Sequence, residues 1–453
     1  MMESVKIKNI KPASYNPRKI SEEAFEELKG SIRTFGFIIP IIVNKDNSTI
    51  VAGHQRTKAA LALGIEEVPA YFIEKVDIES EILFNQVHNG VELEPEKQAE
   101  CKREVGLGYH KLPNKEFECH SKNASVAKDI CRLLVRYGNV LSAIICNGKV
   151  VLGNNYVYAA KILGIEVNCY ILDEALKGDY DHYFSRNYGV YCYDHIERAD
   201  FMQGRAQPPV CKAVEWSILY EHLVPRILKE DPRTVRVLDF GCGKARHIDK
   251  LRVKHGFKKT VGLEFFNHNR VGISVQKGHD LIDEFIAFIQ KNGKFDYTIC
   301  DAVVNSVNTQ AAEENVFRCL NLFTQMGGVI YCSGRMLEVA LKQYELRRNT
   351  SDSTSTVQFF DEHGLTAIMQ EGQWFFQKFL KREQVDAIFE KYGFSEPFMR
   401  YERSGYWGFG AYKVRELSTE EYVTAVDYEF NLNLPNGLSY NRHEEIKKLF
   451  NLI

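Results

Sequence analysis

Val235-Arg236-Val237-Leu238-Asp239-Phe240-Gly241-Cys242-Gly243-Lys244-Ala245 is the stretch whose reading decides the fold of the C-terminal half. Its apolar residues predict a short buried strand ending at Asp239. Two glycines follow at once, and the chain then turns helical. A strand, a glycine loop and a helix in this order bring backbone N–H groups to a ligand. Glycine lets the main chain approach closely, and the helix N-terminus supports the contact electrostatically. A single Gly-x-Gly is weak evidence, so the neighbouring elements must agree with it.

Residues 260–264 predict a second strand that ends at Glu264. A carboxylate there can accept hydrogen bonds from two ribose hydroxyls. Its separation from Asp239 is somewhat longer than the ~20 residues usual for this geometry. Residues 295–301 predict a fourth strand with Asp301 at its C-terminal end, where open α/β sheets bind ligands. Met326-Gly327-Gly328 turns into a fifth strand reaching Cys332. Residues 375–380 and 406–413 predict closing strands around a helix over 382–392, and 212–228 predict a helix before the first strand. No third strand is readable over 271–289.

This order resembles the class I S-adenosylmethionine-dependent methyltransferases, a Rossmann-like α/β fold, across 210–414. The resemblance rests on Val237 to Gly243, Glu264, Phe295-Asp296, Asp301 and Gly327-Gly328. It implies that Asp239 and the backbone of Gly241 and Gly243 hold the methionine part of S-adenosylmethionine. Glu264 would hold the ribose. Ala245 stands in the cofactor loop where many members have a third glycine. A dinucleotide-binding reading is weaker, because Asp239 and the Gly327-Gly328 turn fit the methyltransferase order better. Asp301 and Asn305 lie nearest the expected acceptor and are the candidate catalytic residues. The run from Asp301 to Val307 lacks the proline pair that clamps a flipped base in amino methyltransferases. No cysteine follows a proline, so the cytosine-C5 chemistry has no nucleophile either.

Residues 5–74 carry a second dense pattern. A strand is predicted over 5–10. Ser21 is an N-cap, with Glu22 and Glu23 in the first turn. Ala24, Leu28, Ile32 and Phe35 recur at helical spacing, and Gly36 ends the helix. Strands are predicted over 38–43, 49–52 and 68–73, with a helix over 57–63 opened by Gly53-His54-Gln55-Arg56. Free N–H groups at that helix start, with the Arg56 fork, suit a phosphate, and Arg18 can approach from the Asn16-Pro17-Arg18 turn. The plainer alternative is that Arg56 pairs with a carboxylate and Gly53 only turns the chain. The run resembles the N-terminal domain of the ParB/sulfiredoxin superfamily over 4–75. Asn16-Pro17-Arg18, Pro40 to Val43, Gly53 to Arg56, Ala59-Ala60, Leu63-Gly64 and Val68-Pro69 carry the likeness. The resemblance implies a phosphate pocket from Arg18, Gly53, His54 and Arg56, with a nucleoside triphosphate as a further candidate ligand. Gly-Glu-Arg-Arg of ParB proteins reads Gly53-His54-Gln55-Arg56 here, so hydrolysis does not follow. His54 stands at the sulfiredoxin cysteine position, which excludes sulfinic acid reduction.

The chain repeats itself. Gly53 to Glu66 aligns with Gly153 to Glu166, sharing Ala-Ala and Leu-Gly-Ile-Glu, which predicts a degenerate second ParB-like lobe over 122–174. His54 and Arg56 become Asn154 and Tyr156 there, so the phosphate chemistry is lost. The predicted organisation is 1–77 ParB-like, 78–174 connector helix and second lobe, 175–209 tyrosine-rich linker, 210–414 methyltransferase and 415–453 C-terminal extension.

Composition bounds the function. In 453 residues, 45% hydrophobic and 26% charged, ordinary globular cores are expected. The net charge of −2 lacks the basic excess of proteins held to nucleic acid by electrostatics alone. A nucleic acid or nucleotide partner therefore requires a local patch. Eleven cysteines without a CxxC pair, and a charged N-terminus, predict reduced thiols in a cytoplasmic protein. Cys101, His110, Cys119, His120 and Cys131 match no zinc spacing, so no metal is expected. No apolar run approaches the ~20 residues of a membrane span. The leading expectation is a methyltransferase acting on nucleic acid or a nucleotide, with the ParB-like lobes for recognition. Its rivals are a nucleotide-switched binding protein that senses cofactor without catalysis, and a small-molecule methyltransferase.

Overall fold

A computed structural model describes residues 2–14, 18–77, 80, 84, 98–120, 124–184, 190–191, 216–267, 273–340, 360–370, 373–403, 405–434 and 437–453. They form two compact units, built mainly from residues 1–196 and from 197–341 with 373–453.

The first unit starts with β1 (Met2–Lys6), α1 (Glu22–Phe35), β2 (Ile41–Asn44), β3 (Thr49–Ala52), α2 (His54–Ala62) and β4 (Glu67–Ile73). Ser21 caps α1 by accepting the Ala24 N–H at 3.2 Å, and Gly36 ends it at φ +68°. Three boundaries differ from expectation. The first strand is Met2–Lys6, and Ile7 turns into the core through a single 3-10 turn. β2 begins only at Ile41, because Pro40 has no N–H for the ladder. α2 begins at His54, since the Gly53 carbonyl already accepts the Thr57 N–H at 2.9 Å. Gly-His-Gln-Arg is thus the helix's cap and first turn.

The second lobe contains β5 (Gly108–Leu112), α3 (Ala124–Tyr137), β6 (Ala143–Cys146), β7 (Lys149–Leu152), α4 (Asn154–Leu163) and β8 (Val167–Leu172). The first sheet runs β1-β4-β2-β3 and the second β5-β8-β6-β7, continued by short strands at Glu100–Cys101 and Phe117–Glu118. Strand directions agree throughout the shared part. Ile41 pairs with Ala70 and Asn44 with Ile73; at the equivalent places Ala143 pairs with Cys169 and Cys146 with Leu172. The sequence repeat is therefore a structural duplication. Ala59, Ala60, Ala159 and Ala160 are wholly buried, which lets each helix lie close on its sheet.

The linker enters this unit as α5 (Lys177–Phe184). Tyr180 is buried and stacks on Phe184 at 4.6 Å, and Tyr183 meets Phe35 edge-on at 6.2 Å. These two tyrosines cement the unit. Tyr188 and Tyr193 lie outside the described residues. So does the helix expected over 78–90, except for the buried Ser80 and Phe84.

The second unit holds α6 (Ile218–Ile227), β9 (Arg236–Phe240), α7 (Arg246–His255), β10 (Lys259–Leu263), α8 (Val275–Asn292), β11 (Phe295–Cys300), α9 (Gln310–Phe323) and β12 (Thr324–Arg335). A hairpin of β13 (Leu365–Gln370) and β14 (Gln373–Lys378) follows, then α10 (Arg382–Lys391), β15 (Met399–Arg403), β16 (Tyr406–Tyr412), α11 (Thr419–Glu429) and α12 (His443–Leu449). The sheet runs β10-β9-β11-β12-β16-β15, parallel up to β12, with β16 antiparallel to both its neighbours. This is a Rossmann-like α/β sheet. Its strand order reverses at β9, and ligands bind beyond the carboxyl ends at such a switch point.

Two expectations are corrected here. Residues 375–380 do not close the sheet: β14 pairs with β13, and β15 and β16 are the closing strands. β13 and β14 adjoin in sequence, so their pairing closes a short loop at little entropic cost. The segment 271–289, which shows no readable third strand in sequence, is largely helix α8, whose Ile282 and Phe285 are wholly buried. The C-terminal residues Phe430, Tyr440 and Ile446 are buried in the same core as Phe240 and Leu263.

Candidate functional site

Three carboxylates stand at the C-terminal ends of adjacent strands: Asp239 near the end of β9, Glu264 just after β10 and Asp301 just after β11. Asp239 and Glu264 are 4% and 6% exposed, so both sit out of bulk solvent. Burial, reinforced by the charges of Asp301 and Glu264, pushes Asp239 up to about 8. The hydroxyl of Tyr220, fully buried on α6, donates to Asp239 Oδ2 at 2.8 Å and opposes that rise.

The glycine loop is tied to this cup. Glu264 accepts the Gly243 N–H at 2.9 Å and the Phe266 N–H at 2.8 Å. Asn267 Nδ2 donates to the Gly243 carbonyl at 3.3 Å. Gly241 adopts φ +74°, and a Cβ there would stand 2.3 Å from Val303 Cγ2, so no larger residue fits without displacing the loop after β11. Ala245 caps α7 at φ +54°. A left-handed conformation costs a non-glycine residue roughly 1–2 kcal/mol, which explains the third glycine of related loops.

Asp301 accepts the Ser333 hydroxyl at 2.6 Å, and that hydroxyl oxygen accepts the Ala302 N–H at 2.9 Å. Asn305 accepts the Lys378 N–H through its carbonyl at 3.1 Å. Its side-chain Oδ1 is buried without a hydrogen-bond partner. His247 of α7 stacks on Tyr220 with ring centres 4.2 Å apart and on Trp216 at 5.4 Å. Its Nδ1 is buried without a partner, and burial holds the ring below its ordinary pKa, against the pull of Asp301. Asp239, Gly243, Glu264 and Asp301 are thus drawn together as neighbours. Tyr220, His247 and Ser333 join them without any signal in the local sequence, because each arrives from a different element.

The phosphate candidates of the first unit behave differently. His54 is 8% exposed and its Nε2 accepts the Ala13 N–H at 3.1 Å. Its other ring nitrogen faces the Ile50 carbonyl. Neither nitrogen is left for a phosphate, so His54 is a clasp in this arrangement. Asn154 makes the equivalent pair: Oδ1 accepts the Ala99 N–H at 2.7 Å and Nδ2 donates to the Val150 carbonyl at 2.9 Å. An imidazole and an amide do the same work here, since each offers one donor and one acceptor. Arg56 donates to the Ile39 carbonyl, and Tyr156 donates to Asn139 Oδ1 at 2.7 Å. Both therefore brace the loop between helix and strand. Gly53 caps α2 at φ +106°, and a Cβ there would meet Ile41 Cγ2 at 2.5 Å. The Arg18 side chain lies outside the described residues.

Two regions of the chain match known families. Residues 1–89 match the ParB N-terminal domain family, and residues 215–395 match a methyltransferase domain family. The N-terminal region is 44% identical over 73 residues to the nucleoid occlusion protein of Bacillus thuringiensis (strain Al Hakam), covering 15% of this chain and 25% of the relative. The same figures hold for the nucleoid occlusion protein of Bacillus mycoides (strain KBAB4). The chain thus spans about a quarter of the length of the curated relatives it matches. Among solved structures, an S-adenosylmethionine-dependent methyltransferase from Clostridium acetobutylicum ATCC 824 aligns at 10% identity and TM-score 0.30, covering 45% of this chain and 94% of that one. The C-terminally truncated chromosome-partitioning protein ParB from Caulobacter crescentus, complexed with CTP-gamma-S, aligns at 29% identity and TM-score 0.19, covering 20% and 56%.

Proposed function

We propose that this protein, a ParB N-terminal domain joined to a methyltransferase domain, transfers the methyl group of S-adenosylmethionine to nucleic acid. The cup of Asp239, Glu264 and Asp301 beside the Gly241–Gly243 loop carries the reading. Its charge suits a cofactor with an ammonium and a sulfonium centre. Glu264 accepts two loop N–H groups, and a carboxylate at this strand end is the group type that accepts hydrogen bonds from ribose hydroxyls. When bound, S-adenosylmethionine supplies an electrophilic methyl group, and the protein's share is to orient the acceptor in line with it. Asp301, held by Ser333, is placed to orient or deprotonate that acceptor. The unpartnered Oδ1 of Asn305 suits an N–H donor such as the exocyclic amine of a base. The first lobe's relatives are named for the nucleoid, so DNA is the acceptor to test first. A nucleoside triphosphate in the first lobe is a second part of the proposal, resting on the α2 N-terminus at Gly53 and on Arg56.

Full-length protein incubated with methyl-labelled S-adenosylmethionine and DNA is expected to label the DNA. Asp301→Asn and Asn305→Ala should each lower incorporation by about a hundredfold or more, with cofactor binding retained in Asn305→Ala. Binding of the cofactor without transfer to DNA or RNA would overturn the nucleic-acid acceptor.

Cofactor affinity should also depend on pH. Before a ligand arrives, Asp239 keeps its proton up to about pH 8. A cation favours the ionised form, so binding should expel a proton and tighten as pH rises toward 8, by up to about tenfold per unit. The stability sign is opposite. An unfolded aspartate ionises near 3.9, so the ligand-free protein should lose stability as pH rises from there to about 8. Calorimetry in two buffers of different ionisation heat measures the released proton. A pH-independent affinity would exclude Asp239 from the cation's site.

A further inference from the structure

Two buried polar atoms on the Asp301 side of the carboxylate cup have no hydrogen-bond partner: Asn305 Oδ1 and Arg335 Nε. The first can only accept and the second can only donate. They do not satisfy each other, although one piece of chain holds both residues. The Lys378 N–H donates to the Asn305 carbonyl at 3.1 Å, and the Leu380 N–H donates to the Arg335 carbonyl at 3.0 Å. Between them the Phe379 N–H turns the other way, to the Gly364 carbonyl at 2.9 Å. Alternate residues of an extended segment face one side, so Asn305 and Arg335 are fastened next to each other, at points about 7 Å apart along it.

Arg335 is the last residue of β12, at the carboxyl edge of the sheet where ligands bind. Ser333, which donates to Asp301 at 2.6 Å, lies two residues before it on the same face of the strand. Arg335 therefore stands about 7 Å past that contact, toward the mouth of the site. Its guanidinium lies over the Phe379 ring at 5.0 Å and over Tyr406 at 5.4 Å, and among the described residues it pairs with no carboxylate. The acids of the adjoining segments serve another arginine. Glu338 accepts the Arg382 N–H at 2.9 Å, and Glu402 pairs with the Arg382 guanidinium. Rings hold a guanidinium by its face and leave its N–H edge for a ligand. A side chain that only fills the space between two rings needs neither a charge nor N–H groups. An arginine with a buried N–H that nothing accepts, at the mouth of a substrate site, suits an oxyanion.

We propose that Arg335 is the oxyanion subsite of the methyl acceptor, taking a phosphate of the target nucleotide while Asn305 Oδ1 takes the amine of its base. The proposal rests on the nucleic-acid reading above. The two residues call for an acceptor with an N–H donor and an oxyanion. Phosphate is the oxyanion that the nucleic-acid reading supplies, and a carboxylate is the other source of the same chemistry.

The test titrates full-length protein with the deoxynucleoside 5′-monophosphates, with the same nucleosides lacking phosphate, and with N-acetylglutamine, which carries an amide and a carboxylate. At least one monophosphate should bind wild type about tenfold or more tighter than its nucleoside. Arg335→Gln should abolish that difference and leave nucleoside affinity within about threefold of wild type. Arg335→Lys keeps the charge and loses the fork, so it should fall between the two; if Arg335→Gln does not fold, Arg335→Lys carries the comparison. Asn305→Ala should weaken nucleoside and monophosphate alike. Methyl transfer to DNA reads the same site: Arg335→Gln should raise KM about tenfold and leave kcat within about threefold. An arginine that is only a brace would lower the melting temperature and shift nucleoside and monophosphate together, and that result would overturn the subsite. If wild type and Arg335→Gln methylate DNA with one KM, the subsite falls and the nucleic-acid reading stands. If only N-acetylglutamine binds in a way that depends on Arg335, the subsite stands as a carboxylate site and the nucleic-acid reading falls. Binding of every probe without dependence on Arg335, or of none, overturns the subsite.

Discussion

Glu264→Ala is expected to weaken binding of S-adenosylmethionine by at least a hundredfold. Two losses combine. The ribose loses charge-assisted hydrogen bonds worth about 1.5–3 kcal/mol each. The Gly243 and Phe266 N–H groups, which Glu264 accepts at 2.9 and 2.8 Å, are left without it, so the loop that meets the cofactor loosens as well. Glu264→Gln keeps an acceptor oxygen for one of these N–H groups and loses the charge, so its affinity should fall between wild type and Glu264→Ala. Titration calorimetry on the two variants measures both steps. An affinity for Glu264→Ala equal to wild type would remove Glu264 from the site and leave it a loop brace only.

His54→Ala should destabilise the first lobe by about 2–5 kcal/mol, whereas His54→Asn should be close to neutral. The alanine strands the Ala13 N–H and the Ile50 carbonyl, and a buried unpaired backbone group costs about 1–3 kcal/mol. The asparagine copies what Asn154 already does at the equivalent place in the second lobe. Acid sensitivity should divide the variants in the same way. Burial holds His54 down to about 4, against 6.5 for a free imidazole. As pH falls below 6.5 the unfolded chain takes up a proton that the folded lobe refuses. The stability present above 6.5 is therefore lost progressively toward pH 4. His54→Asn should lack that component. Hydrogen exchange of peptides spanning residues 10–16 and 50–62, followed from pH 7 to 4.5, reports the lobe directly. Equal exchange in His54→Ala and wild type would show that the clasp carries no stability.

Particular residues show how far the chain could be read unaided. The two domains were legible because their signatures are local. Ser21 with its first-turn acids, the Gly53 and Gly153 caps, and the Asp239–Gly243 run each lie within a helical turn or two. The backbone there is set by neighbours in sequence. The duplication was legible because Ala59-Ala60 and Ala159-Ala160 answer to the same demand, a helix pressed on a sheet.

What only the tertiary structure decided are the contacts made across long stretches of chain. Tyr220 reaches Asp239 across 19 residues, Ser333 reaches Asp301 across 32, and Ala13 meets His54 across 41. No periodicity announces such pairs, since they depend on where whole elements settle. His54 shows the consequence. Its place at a helix start suggested an anion ligand, and burial against two backbone groups made it a clasp. Residues 375–380 had a strand's composition, and the adjacency of β13 drew them out of the sheet. Propensity and capping are written in the sequence because they act within a turn; the partner of a buried polar group is not, because folding chooses it by proximity in space.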